Sequence, residues 1–144
     1  MARVKITLPE HEIAAVQIPV RITDINYGNH VGNDSFVAII HEARVQWLKQ
    51  NGFTEINIGG GTGLIMSDLE IMFRNESFYG DEIVVKLFAG VITSISFELF
   101  YQLTAIRNNN PIVLAIAKTG MVCYDYTNKK VASMTNELEK LLSH

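Results

Sequence analysis

Hydrophobic and polar positions follow two periods along this chain. From Ser35 to about Asn51 the apolar residues recur at helical spacing, with Phe36, Ile39, Ile40, Ala43 and Trp47 in one stripe. Val37, Val45 and Leu48 widen that stripe, which predicts a helix buried on more than one side, and Gly52 is the expected stop after it. Strand periodicity dominates elsewhere. Ile13–Thr23 puts Ile18, Val20 and Ile22 on one face, and Pro19 inside it predicts an edge position or a bulge. Leu64–Arg74 aligns Leu69, Ile71 and Phe73. After a turn at Phe78–Asp81, Glu82–Ala89 alternates Ile83, Val85, Leu87 and Ala89. Ser94–Ile106 alternates from Ile95 to Ala105, and Arg107–Pro111 is the expected hairpin loop before Ile112–Tyr124. The phase of that last strand drifts at Lys118–Gly120, which predicts a bulge. Asp125–Lys130 reads as a turn and Thr135–Leu142 as a short closing helix.

The order is therefore a strand, a long helix, then four strands with tight connections. Three consecutive hairpins predict an antiparallel sheet, and one long apolar helix suffices to cover one face of it. The run Gly59-Gly60-Gly61-Thr62-Gly63 lacks the lysine-serine/threonine ending of a phosphate loop and reads as a flexible connection.

Composition narrows the picture. The 144 residues are 48% hydrophobic and 19% charged, as expected of one globular domain spanning residues 1–144. A net charge of −3 argues against nucleic acid as a partner. No apolar run reaches the roughly 18 residues of a membrane helix, and the amino-terminal residues lack a signal-peptide core. The single cysteine, Cys123, lies in an apolar strand pattern and reads as a core residue; it fits a reducing cytoplasm. Neither a serine elbow nor a zinc motif is present.

The chemistry concentrates in Asp24–Asp34, between the first strand and the helix. The first N–H groups of a helix are unpaired and carry partial positive charge, so they suit a carbonyl oxygen or an anion. Asn26 and Asp34 can orient water, His30 supplies an imidazole able to act as a base, and Asn33 adds an amide. The plainer reading of Asn33 or Asp34 is an N-cap. Glu42 lies beside the apolar stripe and reads equally as a surface charge.

These residues carry a resemblance. Asp24-Ile25-Asn26, His30-Val31-Gly32-Asn33, Phe36 and Glu42-Ala43-Arg44 resemble the loop and helix of hotdog-fold thioesterases, in particular the 4-hydroxybenzoyl-CoA thioesterase-like branch. Leu69-Glu70-Ile71-Met72-Phe73-Arg74, Tyr79-Gly80-Asp81-Glu82-Ile83 and Ser94-Ile95-Ser96-Phe97 resemble its later strands. The resemblance implies an α+β hotdog fold, an antiparallel sheet wrapped around one long central helix. It implies a homodimer or tetramer joined at the edge strand near Leu64–Arg74, with the thioester between protomers. It also implies a backbone N–H near Asn33 that polarises the thioester carbonyl. The expected activity is hydrolysis of an acyl-CoA or carrier-protein thioester, with no metal or cofactor. Arg74 and one or more of Lys86, Arg107 and Lys118 are the expected contacts of the CoA phosphates.

One departure matters. The catalytic aspartate of that branch falls at Asn26, and an amide can neither attack nor take a proton from water. Asp34, then Glu42, are the expected replacement bases, with His30 shaping the site. The alternatives are an acyl-thioester binding protein without hydrolysis and, more remotely, a dehydratase using Asp34 with His30.

Overall fold

Strand pairing and one helix account for most of the ordered backbone. The computed structural model describes residues 3–143. Its elements are β1 (Glu12–Pro19), α1 (Asn33–Gln50), β2 (Gly63–Phe73), β3 (Glu82–Ile92), β4 (Ser96–Arg107), β5 (Asn110–Asp125), the short β6 (Lys130–Val131) and α2 (Asn136–Ser143). The sheet is antiparallel in the order β1-β3-β4-β5-β2, with β6 added beside β5. No helix among the described residues is long and apolar enough to cross a membrane.

The alternation read from the sequence sets the core. Ile83, Val85, Leu87 and Ala89 of β3 and Phe97, Leu99, Tyr101, Leu103 and Ala105 of β4 are buried. They meet the α1 stripe of Phe36, Ile39, Ile40, Ala43, Trp47 and Leu48. Leu138 and Leu142 of α2 join the same core, and Cys123 lies in it, where burial pushes its thiol pKa up. The helix ends as its glycine requires. Gly52 has φ +81°, and the N–H groups of Gly52 and Phe53 donate to the carbonyls of Lys49 and Leu48, closing a Schellman motif.

Several expectations change. The first strand stops at Pro19, whose missing N–H is tolerated at the end of an edge strand. A single 3₁₀ turn, Ile22–Asp24, follows, and it throws Ile22 outward, 67% exposed. Ile95 likewise falls just before β4 and is exposed. The four later strands do not form three hairpins. β3–β4 and β4–β5 are hairpin neighbours, but β2 pairs with β5 at the far edge, so residues 74–81 cross the end of the sheet. The drift near Lys118–Gly120 reflects an extra residue in β2, Ser67, opposite that point, and β5 has its own irregularity at Leu114. Leu114 thereby turns its carbonyl to accept both Arg74 and Asn75 N–H groups at the end of β2.

The glycine run is a tight turn instead of a loose connection. Ile58 N–H donates to Thr62 O at 2.7 Å, and Gly59, Gly60 and Gly61 all have positive φ. Gly63 is small for a different reason. A methyl group there would lie 2.6 Å from the Tyr126 ring and 2.9 Å from the carbonyl oxygen of Glu55, which holds Leu64 N–H. Gly63→Ala is therefore expected to lower stability by about 1–3 kcal/mol through overpacking. Urea denaturation checks this, and an unchanged midpoint would refute it.

Candidate active site

The loop between β1 and α1 is held at three levels. At its base, buried Asp24 accepts the backbone N–H of Arg21 at 2.8 Å, and its own carbonyl accepts Gly32 N–H at 3.0 Å. Above this, Ile25 and Val31 form a β-bridge, and Asn26 N–H donates to His30 O at 2.9 Å. From outside, Val31 N–H donates to the carbonyl of buried Ser77 at 2.8 Å. Ser77 in turn donates its hydroxyl to Asp81, and Arg107 forks onto both carboxylate oxygens of Asp81 at 2.8 and 2.7 Å. The Arg107 guanidinium also lies 5.1 Å from the centre of the Phe78 ring. The loop is thus braced by a charged cluster on the β2–β3 connection.

Within it, Asn26 occupies the centre. Its Oδ1 accepts Gly28 N–H at 2.9 Å, so its Nδ2 end is the one left to face a ligand. A methyl group on Gly32 would sit 2.6 Å from Asp34 Oδ1 and 3.8 Å from Asn26 Nδ2; one on Gly28 would sit 3.0 Å from His30 Nε2 and 3.3 Å from Asn26 Oδ1. Asn26 therefore stands between His30 on one side and Asp34 on the other. The carbonyl of Val31, 3.2 Å from His30 Nδ1, can only accept, so Nδ1 carries the hydrogen. Nε2 is then the basic nitrogen, 3.9 Å from a Glu76 oxygen.

The capping expectation fails. The N-cap is Gly32, and no side chain caps α1; Asn33 and Asp34 are its first two residues and both are exposed. The N–H groups of the first turn thus face outward beside Asn26 and His30. A cleft of about 200 Å³ opens there, lined by His30, Val31, Asn33, Phe36, Phe73 and Arg74, among others. The Phe36 and Phe73 rings meet edge to face at 5.4 Å and form its apolar floor. Glu42 is elsewhere. It lies about 12 Å farther along the helix axis from Asp34, accepts Gln46 Nε2 at 2.7 Å and lines a separate cleft of about 390 Å³ with Arg21, Asp24 and His41.

The four expected phosphate contacts are scattered. Arg74 is at the first cleft. Lys86 is 3.9 Å from Glu12, Lys118 is paired with Asp68 at 3.1 Å and Glu98 at 3.8 Å, and Arg107 is engaged with Asp81. Among the described residues no group of three His, Cys, Asp or Glu side chains is arranged to hold a metal.

A network absent from the sequence reading lies under α1. Arg44 is buried, donates Nε to Glu55 at 2.8 Å and Nη1 to the Tyr101 hydroxyl at 3.2 Å, and Tyr101 contacts Thr119 Oγ1 at 2.7 Å. His41 meets the second oxygen of Glu55 at 2.5 Å. Burial works against the Glu55 carboxylate, but the bond and charge of Arg44, with His41, outweigh it and hold its pKa below the ordinary value. Tyr101 goes the other way, its pKa raised by burial. The signals were a tyrosine and a threonine at inward strand positions and an arginine on the buried helix face; their meeting was not readable from spacing.

The chain belongs to the thioesterase-like superfamily, whose pattern matches residues 20–142. The fold agrees: a 1,4-dihydroxy-2-naphthoyl-CoA thioesterase from Synechocystis superposes with a TM-score of 0.78 at 22% identity, over 90% of this chain and 94% of that one. A DHNA-CoA thioesterase from Staphylococcus aureus gives 0.78 at 13% identity, over 90% and 88%. The dynemicin thioesterase gives 0.78 at 16%, over 92% and 95%. These likenesses establish the hotdog α+β fold. No curated protein matches the chain by sequence.

The brace behind the loop has a pH signature. Burial tends to raise the Asp81 pKa, but the hydrogen bonds from Arg107, Phe78 N–H and Ser77, with the Arg107 charge, hold it below the ordinary carboxylate value. Carboxylates of the unfolded chain titrate near 4. The stability contributed by Asp81 and Glu55 is therefore complete above that value and is lost as pH falls below it through their folded pKa values. Melting temperature measured against pH should fall on this acid limb, and Asp81→Asn should melt lower at neutral pH with a shallower limb. A parallel limb in Asp81→Asn would refute the assignment.

Proposed function

We propose that this protein hydrolyses an acyl-CoA thioester. The observation that carries the reading is a cleft with an apolar floor that His30 and Asn33, at the uncapped start of α1, line together, with Asn26 beside His30 and Asp34 next to Asn33. The thioester carbonyl would point at the N–H groups near Asn33 and at Asn26 Nδ2, which supply donors where the oxyanion forms. Losing one such donor typically costs 10²–10³ in rate. Water attacks the carbonyl carbon, a base takes its proton, the C–S bond breaks and the thiolate leaves to be protonated. Because Asn26 cannot be that base, Asp34 is the first choice and His30 the residue that orients the loop; Glu42, the second choice, lines a separate cleft and could serve only a thioester bound there.

Asp34→Asn keeps the shape and removes the charge. Thiol release from a panel of acyl-CoAs, followed with a thiol-reactive dye, should fall by about 10²–10⁴ in this variant with melting temperature nearly kept. Unchanged release in Asp34→Asn with collapse in Glu42→Gln would move the role to Glu42. Full activity in both would leave His30 as the base. The amide at Asn26 favours one second reading, a protein that binds acyl thioesters without cleaving them. Saturable acyl-CoA binding with no release from any chain length would select it.

We further propose a homodimer or tetramer built on β2. This strand is 11 residues long and has no partner on its outer side among the described residues, where Met66 and Phe73 are 45% and 40% exposed. Such an edge invites pairing with a two-fold copy. Light scattering at micromolar concentration should give at least the dimer mass; a monomer mass would overturn the proposal.

A further inference from the structure

The β2–β3 connection supplies part of the wall of the His30–Asn33 cleft, and it brings a carboxylate there. Arg74, Asn75 and Glu76 line the cleft together with the loop residues. One oxygen of Glu76 lies 3.9 Å from His30 Nε2. The Glu76 side chain is 64% exposed, but the backbone that carries it is tied on both sides. Asn75 donates its backbone N–H to the Leu114 carbonyl at 3.1 Å and its Nδ2 to the Val113 carbonyl at 2.7 Å. The carbonyl of Glu76 accepts Arg107 Nη2 at 3.1 Å, and that of Ser77 accepts Val31 N–H. The brace that holds the loop therefore also fixes the backbone of Glu76 against it.

Hydrolysis makes a demand that this carboxylate meets. A water that gives one hydrogen to a base keeps a second. That hydrogen needs an acceptor if a lone pair is to point at the thioester carbon. Asn26 does not supply one: its Oδ1 is engaged by Gly28 N–H, and its Nδ2 can only donate. The first N–H groups of α1 donate as well. On the side of Asn26 away from Asp34, the acceptors are His30 Nε2 and Glu76. The carboxylate is the stronger of the two, because a charged acceptor makes hydrogen bonds roughly twice as strong as a neutral one.

We propose that Glu76 is a further catalytic residue, which holds the attacking water by accepting the hydrogen that the base does not take. The other proton of the water goes to the base, the new C–O bond forms and the C–S bond breaks. The hydrogen held by Glu76 stays on the oxygen that ends in the product acid. Glu76 gains no proton, which separates its role from that of Asp34. The assignment rests on the hydrolase reading above and adds to it the place of the water, between the β1–α1 loop and the β2–β3 connection.

The test is steady-state kinetics of thiol release from the acyl-CoA panel, on the full chain and on Glu76→Gln and Glu76→Ala. Gln keeps an acceptor oxygen without the charge, and Ala removes both. The value of kcat should fall by about 10² in Glu76→Ala and by no more than about tenfold in Glu76→Gln, as expected for hydrogen bonds to charged and neutral groups. KM should stay within about twofold of the parent in both variants, because the lost contact is to water and not to the acyl-CoA. The side chain is exposed, so melting temperature should be kept. An unchanged kcat in Glu76→Ala overturns the proposal and leaves the hydrolase standing. Equal collapse in both variants overturns water holding and makes Glu76 the base. A raised KM with kcat kept overturns it in favour of a substrate contact, and a loss of rate that follows a lowered melting temperature overturns it in favour of a structural role. A parent that cleaves no thioester overturns the hydrolase reading, and this assignment falls with it.

Discussion

A guanidinium in an apolar core is the constraint that orders this fold. Arg44 is 5% exposed, and a buried charge of that kind is tolerated only with partners on it. Glu55 and Tyr101 supply them, and Thr119 completes the chain of hydroxyls. Breaking such a pair by removing one member typically costs about 3–5 kcal/mol, because the other stays buried and uncompensated. The geometry reaches beyond the pair. Arg44 sets the rotation of α1, Tyr101 and Thr119 tie that rotation to β4 and β5, and Glu55 fixes the path of the chain after the helix. The backbone carbonyl of Glu55 receives Leu64 N–H at the start of β2. One interaction thus decides both where the edge strand begins and where the far end of the helix points.

That far end is the candidate site. A helix is stiff, so a rotation set at Arg44 is transmitted to Asn33 about 16 Å away along the axis. The loop that meets it is held independently, by Asp24 from inside and by the Arg107–Asp81–Ser77 cluster from outside. Two unrelated charged anchors therefore bring Asn26 and the helix start together. Preorganisation of this kind lets donors act on a developing oxyanion without rearranging. It also explains why Arg107, a natural candidate for phosphate, has another occupation: its fork already matches a carboxylate at two points.

The end of β2 joins these parts. Leu114 gives its carbonyl to both Arg74 and Asn75, and Phe73 leans on Phe36 of the helix start. The same short segment thus borders the polar cluster on one side and the amino-terminal arm before β1 on the other.

Much of this was legible from residues alone. Alternation over Ile83–Ala89 and Phe97–Ala105 and the stripe from Phe36 to Trp47 named the elements and the core, because side-chain periods of 2 and 3.6 are properties of the local backbone. The gathering of Asn26, His30, Asn33 and Asp34 was legible for the same reason: one short loop cannot carry them far apart. What distance along the chain hides was decided by tertiary structure. That β2 leaves β3 for the edge beside β5, that Arg44 finds Glu55 and Tyr101, and that Glu76 comes to face His30 are long-range choices. So is the separation of Glu42 from the loop it follows in sequence. Propensity and spacing speak only to neighbours within a few residues. Which strand pairs with which, and which charges share a cavity, follow from burying one helix against one sheet with the buried charges and the backbone paired, a condition that only the whole fold can meet.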